Sequence, residues 1–250
     1  ALTAVEESTP ESSQCGRPRF FPWLNKSKIN RITGGWEAKP FSLPWMASIQ
    51  FHFRERLIHL CGGSIICLNA CNTTDSVLSA AHCAIQNGKI LPPNQMIVVA
   101  GTHDFKLPES NTRQIIPVKS YRDAGYEAKS GRHDLLIVKL VRNIRFSHYV
   151  QPVCLPSRKE VLTIGTLCFV AGWGKTTELG RTELPSRLSM ADVYVRRMQN
   201  CKQHFGLAAS KKLQICASGN EHRSTCTVYS FHRAYERGQF HSESRQEERT

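Results

Sequence analysis

The stretch Ser79-Ala80-Ala81-His82-Cys83 places a histidine directly before a cysteine, at the end of the apolar run SVLSAAHC. A second cysteine, Cys61 in LCGGS, stands upstream to pin it. A histidine held rigidly beside a disulfide-prone cysteine suits a general base, because its pKa lies near working pH. Such a base needs an acid to orient it. Residues 133–140, HDLLIVKL, offer one: Asp134 begins a strongly apolar strand, where a buried carboxylate calls for a partner such as an imidazole. Further upstream, Arg31 in RITGG precedes a β-branched Ile32 and a flexible glycine pair, so a cut at Arg31-Ile32 would expose a new amino terminus.

Around these features the chain from Ile32 onward is built of short apolar runs separated by turns. WMASIQF, LCGGSIIC, MIVVAGTHDF, RQIIPVKS, DLLIVKL and LCFVAGWG are rich in Val and Ile and bounded by Gly, Pro, Asn or Ser. Many short strands at this spacing predict an all-β fold, a sandwich or a barrel. Only SRLSMADVYVRRMQNCKQHFG is long enough for a helix, expected around Arg196 to His204.

Ten cysteines contain no CxxC pair, so a disulfide framework in an oxidising compartment is expected and no metal site. The sequons at Asn25 and Asn72 agree with a secreted glycoprotein. No apolar run approaches the roughly 18 residues that cross a membrane, and a signal peptide is expected to have been removed. The net charge of +13 comes from scattered basic residues, which reads as a solvated surface and not a nucleic-acid interface. The expectation is a monomer without cofactor, nucleic-acid or membrane partner.

The order RITGG, CGGSII, SAAHC, HDLLIVKL, QPVCLP, CFVAGWGKT and QICAS resembles the chymotrypsin/trypsin-like serine peptidase family. The resemblance spans about Cys15 to Cys226 and implies two six-stranded β-barrels with an active site between them. It implies that His82 is the general base, that Asp134 orients it, and that Arg31-Ile32 is the zymogen activation bond cut by another protease. It also implies disulfides Cys15–Cys154, which would tether a leader of residues 1–31, together with Cys61–Cys83 and Cys201–Cys216. For Cys67 and Cys71 it offers no partner, and their pairing with each other is a guess. Protein substrates or protein ligands are the implied partners.

The resemblance stops at Cys226. There the family has GDSGGP, which supplies the nucleophile, the aspartate that receives the new amino terminus, and the oxyanion hole. This motif is absent from the chain. Aligned on Cys226, Val228 stands for the glycine, Tyr229 for the aspartate and Ser230 for the nucleophile. A β-branched residue resists the backbone that the glycine allows, and Tyr229 cannot form the ion pair. Ser224 occupies the specificity position where trypsin-like members carry aspartate. The peptidase domain is therefore expected over 32–226 with an incomplete second barrel. Cys168 and Cys226 lose their expected partners. A polar, disordered tail without strand pattern is expected over 227–250, the product of a replaced final coding segment. Three functions stay open: an endopeptidase by lineage, a non-catalytic pseudopeptidase that binds proteins, and a truncated product that does not fold stably.

Overall fold

Apolar residues at every second position bury one face of a strand, and the first half of the chain uses this pattern to close a sheet on itself. The computed structural model describes residues 15–22, 35–54, 56–68, 71–86, 88–156, 162–174, 185–205, 214–219, 228–234 and 239–241. At residues 86, 204–205, 228–234 and 239–241 only the backbone is described. After β1 (Trp36–Glu37) come β2 (Met46–Phe53), β3 (Arg56–Ile65) and β4 (Thr73–Ser79). A small hairpin, β5 (Ile85–Gln86) and β6 (Lys89–Ile90), leads to β7 (Met96–Ala100), β8 (Gln114–Asp123) and β9 (Leu136–Arg145).

The barrel runs β2-β3-β4-β9-β8-β7 and closes. Ile49, Ile65, Val77, Val98, Ile116, Leu136, Val138 and Ile144 fill it and are essentially inaccessible to solvent. Along β9, Leu136, Val138 and Leu140 point inward while Val141 and Arg142 face out. Bulges between Ile49 and Gln50, Thr74 and Ser76, and Val118 and Ser120 add the local bending that closure requires. The turn after β7 needs Gly101, whose φ is +66°. A Cβ there would stand 2.1 Å from the Thr112 carbonyl oxygen, so no other residue fits without moving backbone.

The second sheet holds β10 (Leu167–Gly172), β11 (Ser189–Val195), β12 (Gln214–Ser218), β13 (Val228–Ala234) and β14 (Gln239–His241). β11 is its hub. β10 runs along one edge of β11, and β1 and β12 share the other edge at its two ends. Among the described residues this sheet is open, in the order β1-β11-β12-β13-β14, and its core of Val193, Val195, Ile215 and Ala217 is small.

The helix expected around Arg196 to His204 is α1, Met198–Phe205, and the segment before it, Ser189–Val195, is strand β11. Alternation in SMADVYV, with Met190, Val193 and Val195 buried, favours the strand. In the tail, Val228–Ala234 and Gln239–His241 are extended and not irregular, because β12 offers a free ladder edge to β13.

Among the described residues four disulfides join Cys15 to Cys154, Cys61 to Cys83, Cys67 to Cys71 and Cys201 to Cys216, and Cys168 carries a free thiol.

Candidate active site

His82 lies in a single 3-10 turn, Ala81–Cys83, directly after β4. Two covalent and non-covalent anchors fix that turn. The first is the Cys61–Cys83 bond, which ties it to β3 across 22 residues. The second is Asp134, two residues before β9. Its Oδ1 accepts the His82 backbone N–H at 2.8 Å, and its Oδ2 lies 2.7 Å from His82 Nδ1. The carboxylate thus grips the histidine twice, by backbone and by ring.

The chain places Asp134 there by a backbone kink. His133 has φ +55°, and the Leu135 N–H turns back to its carbonyl at 2.7 Å. The Asp134 side chain is 5% exposed and that of His82 is 35% exposed. A carboxylate only accepts, so the imidazole proton sits on Nδ1 and the lone pair on Nε2. The pair is therefore oriented as a base reachable from solvent. Cys61, His82 and Cys83 have ligand atoms within 4.8 Å of one another, but the two sulfurs are bonded together and offer no thiolate to a metal.

Ser230 belongs to the other half of the molecule. It stands mid-strand in β13, paired with Cys216, in an unbroken register from Ser218↔Val228 to Gln214↔His232. Asn72 is exposed, directly before β4. Arg31, Ile32, Asn25, Ser224 and Cys226 lie outside the described residues.

The two halves meet around Trp173 of the GWG motif. Its side chain is fully buried, stacks on Phe105 with ring centroids 4.9 Å apart, and donates Nε1–H to the His103 carbonyl at 3.1 Å. Charged groups clamp the same junction. Glu37 on β1 meets His103 Nε2 at 3.1 Å and Arg187 at 3.3 Å, while Arg187 reaches Asp104 at 3.2 Å. Burial pushes the Asp104 pKa up, but hydrogen bonds from the Lys106 N–H, Ser186 and Arg187 outweigh it and hold the carboxyl below its usual range.

A buried serine–histidine contact lies beside this junction. Ser48 Oγ is 2.8 Å from His59 Nδ1, and Gln50 Nε2 donates to the same hydroxyl at 3.1 Å. The His59 ring packs beside Phe105 and Trp173, and burial pulls its pKa down from 6.5 to about 4. Ser48 is wholly buried, so this pair is not offered to a substrate. Sequence reading singled out neither this pair nor the Glu37–Arg187 clamp. The clamp's partners lie up to 150 residues apart, and no local spacing announces them.

The trypsin family profile matches residues 32–228. Granzyme-like protein 1 of Rattus norvegicus is 33% identical over 187 residues, covering 74% of this chain and 68% of that protein. Granzyme F of Mus musculus is 33% identical over 193 residues, covering 77% of this chain and 71% of that protein. Among solved structures, one described as "Structure of GrC" aligns with a TM-score of 0.63 and 33% identity, covering 75% of each chain. Human heparin binding protein aligns with a TM-score of 0.62 and 25% identity, covering 84% of this chain and 82% of that one. Barrel, hub sheet and histidine–aspartate pair therefore have one common explanation: the chain belongs to the trypsin family of serine proteases, with the chymotrypsin-like fold.

Proposed function

We propose that this chain is a secreted, non-catalytic member of its family, a pseudopeptidase that retains the first barrel as a surface for binding proteins. The observation that carries the reading is the pairing of an assembled base with an unbuilt nucleophile site. His82 and Asp134 are held at 2.7 Å, whereas the position of the nucleophile, Ser230, lies within a continuous strand ladder. Acyl transfer needs a hydroxyl presented to the base and donors preorganised for the oxyanion. A mid-strand position commits its backbone N–H and C=O to the sheet or its edge, which leaves no tight turn to present them. Losing a single oxyanion donor typically costs about 10²–10³ in rate, and here GDSGGP is absent as a whole.

The chain is made as a zymogen with its activation bond at Arg31-Ile32, and the leader stays attached through Cys15–Cys154 after the cut. With Tyr229 in place of the aspartate, the new amino terminus meets no carboxylate at that position, so cutting does not switch on catalysis. A solved relative is named for binding heparin, which supports a binding use of the same fold. The decisive experiment cuts the purified chain at Arg31 and adds a serine-directed fluorophosphonate. The reading expects no covalent labelling. Labelling that disappears in Ser230→Ala overturns it and restores the endopeptidase.

A further inference from the structure

We propose that the outer edge of β10 is a contact between two copies of this chain, locked by a Cys168–Cys168 disulfide. Pairing with β11 leaves some backbone groups of β10 unused. The Val195 N–H donates to the Thr166 carbonyl at 3.0 Å and the Val195 carbonyl accepts the Gly165 N–H at 2.8 Å, so a bulge at Gly165–Thr166 faces Val195 and sets the phase of the ladder that follows. The register continues without a shift through Leu167↔Tyr194 and Cys168↔Val193 to Gly172↔Ser189. In an antiparallel ladder the bonded pairs alternate. Cys168 and Val170 therefore turn their N–H and C=O groups toward β11, while Leu167, Phe169 and Ala171 turn theirs to the opposite edge. No described strand pairs there.

The side chains along this edge are apolar. Ile164 is 63% exposed, Leu167 44% and Phe169 39%. Residues 162–174 carry no charge at all, in a chain whose net charge is +13. A charged ligand has nothing to grip on this strip, and two copies can meet on it without repulsion between like charges. Exposed, uncharged strand edges of this kind pair with other edges.

A second copy is the occupant that the register fits. A two-fold axis through Cys168 sets Leu167 of each copy opposite Phe169 of the other, as hydrogen-bonded pairs that use the spare groups. It sets Cys168 opposite Cys168 as the non-bonded pair, whose Cα atoms lie about 4.5 Å apart. That spacing falls within the roughly 4.4–6.8 Å range that a disulfide spans. The thiol is half-buried against the small core of the second sheet, and burial raises its pKa, which slows its attack on a disulfide. A low-molecular-weight disulfide such as oxidised glutathione is the oxidant. The Cys168 thiolate attacks it, releases one thiol and forms a mixed disulfide. Cys168 of the second copy then displaces the remaining thiol. The two cysteines lose two electrons and two protons, and the small disulfide gains them.

The test uses the full chain with oxidised glutathione. The expected result is a species of twice the chain mass on a non-reducing gel, lost on reduction, whose digest contains the Cys168 peptide joined to itself. Cys168→Ser abolishes the covalent species but keeps a concentration-dependent dimer in sedimentation. Phe169→Pro abolishes both, because it deletes an N–H that points to the free edge and that β11 does not use. A monomer at all concentrations overturns the proposal. So does a Cys168 peptide joined to Cys226, or a dimer that survives Phe169→Pro. Should either variant fail to fold by circular dichroism, the peptide map of the unaltered chain decides alone.

Discussion

Lowering the pH from 7 to 4 forces a proton onto His59, and the structure says what that costs. Gln50 donates to Ser48 Oγ, which leaves the serine hydroxyl proton for His59 Nδ1, so the neutral ring is the one that fits. Phe105 and Trp173 flank the ring and supply no counter-charge. Burial lowers the pKa to about 4, from 6.5 when unfolded. The sign follows directly. Between these values the unfolded chain binds the proton and the folded one does not, so stability present above pH 6.5 is lost as the pH falls toward 4. At about 1.4 kcal/mol per pH unit, the gap corresponds to about 3 kcal/mol. The assay is denaturant unfolding of the full chain at pH 7 and pH 4, compared with His59→Asn, whose amide oxygen can accept the Ser48 hydroxyl. Other groups titrate in both proteins, so only the difference between them counts. The unaltered chain should lose about 3 kcal/mol more than the variant over this range. Parallel losses, within about 0.5 kcal/mol, would refute the assignment of the shift to this buried ring.

Asp134→Ala removes the acceptor of both the His82 backbone N–H and its ring, and should destabilise the chain by about 2 kcal/mol in the same unfolding assay. Gly101→Ala forces a left-handed backbone and a clash with the Thr112 carbonyl, and should lower stability by about 2–3 kcal/mol, read as a shift in denaturation midpoint. After cleavage at Arg31-Ile32, the chain should run as one band without reductant and two with it, and Cys154→Ser should release the leader without any reductant.

The histidine–aspartate pair could be read from the sequence because its signals are local. SAAHC carries its own cysteine staple, and HDLLIVKL marks the strand mouth where an acid must find a partner. The barrel strands could be read for the same reason: β8 and β9 bury alternate residues, and β2 and β7 are short apolar runs bounded by turns. β11 was obscured by its continuity with α1: SMADVYVRRMQNC contains no Gly or Pro to mark the boundary between them. β13 was obscured because TVYSFHRA is polar, and its strand character comes from the edge of β12 and not from its own pattern. The Ser48–His59 contact depends on the register of the β2–β3 hairpin, and the Glu37 clamp on the junction of the two sheets. Composition holds no trace of either.

The position of β1 has a consequence for how the chain is born. Trp36 and Glu37 leave the ribosome before any barrel strand, yet their ladder partners are Met190 and Ser189 on β11. The ion pair from Glu37 to Arg187 closes over a separation of 150 residues. At about 5–20 residues per second, that interval lasts roughly 8–30 s. The first barrel, whose last strand ends at Arg145, can close within it. The opening segment of the domain must meanwhile wait undocked beside a finished barrel. Its docking is a late step of synthesis, and a nascent chain stalled before Ser189 should leave that segment open to proteases while the barrel behind it resists them.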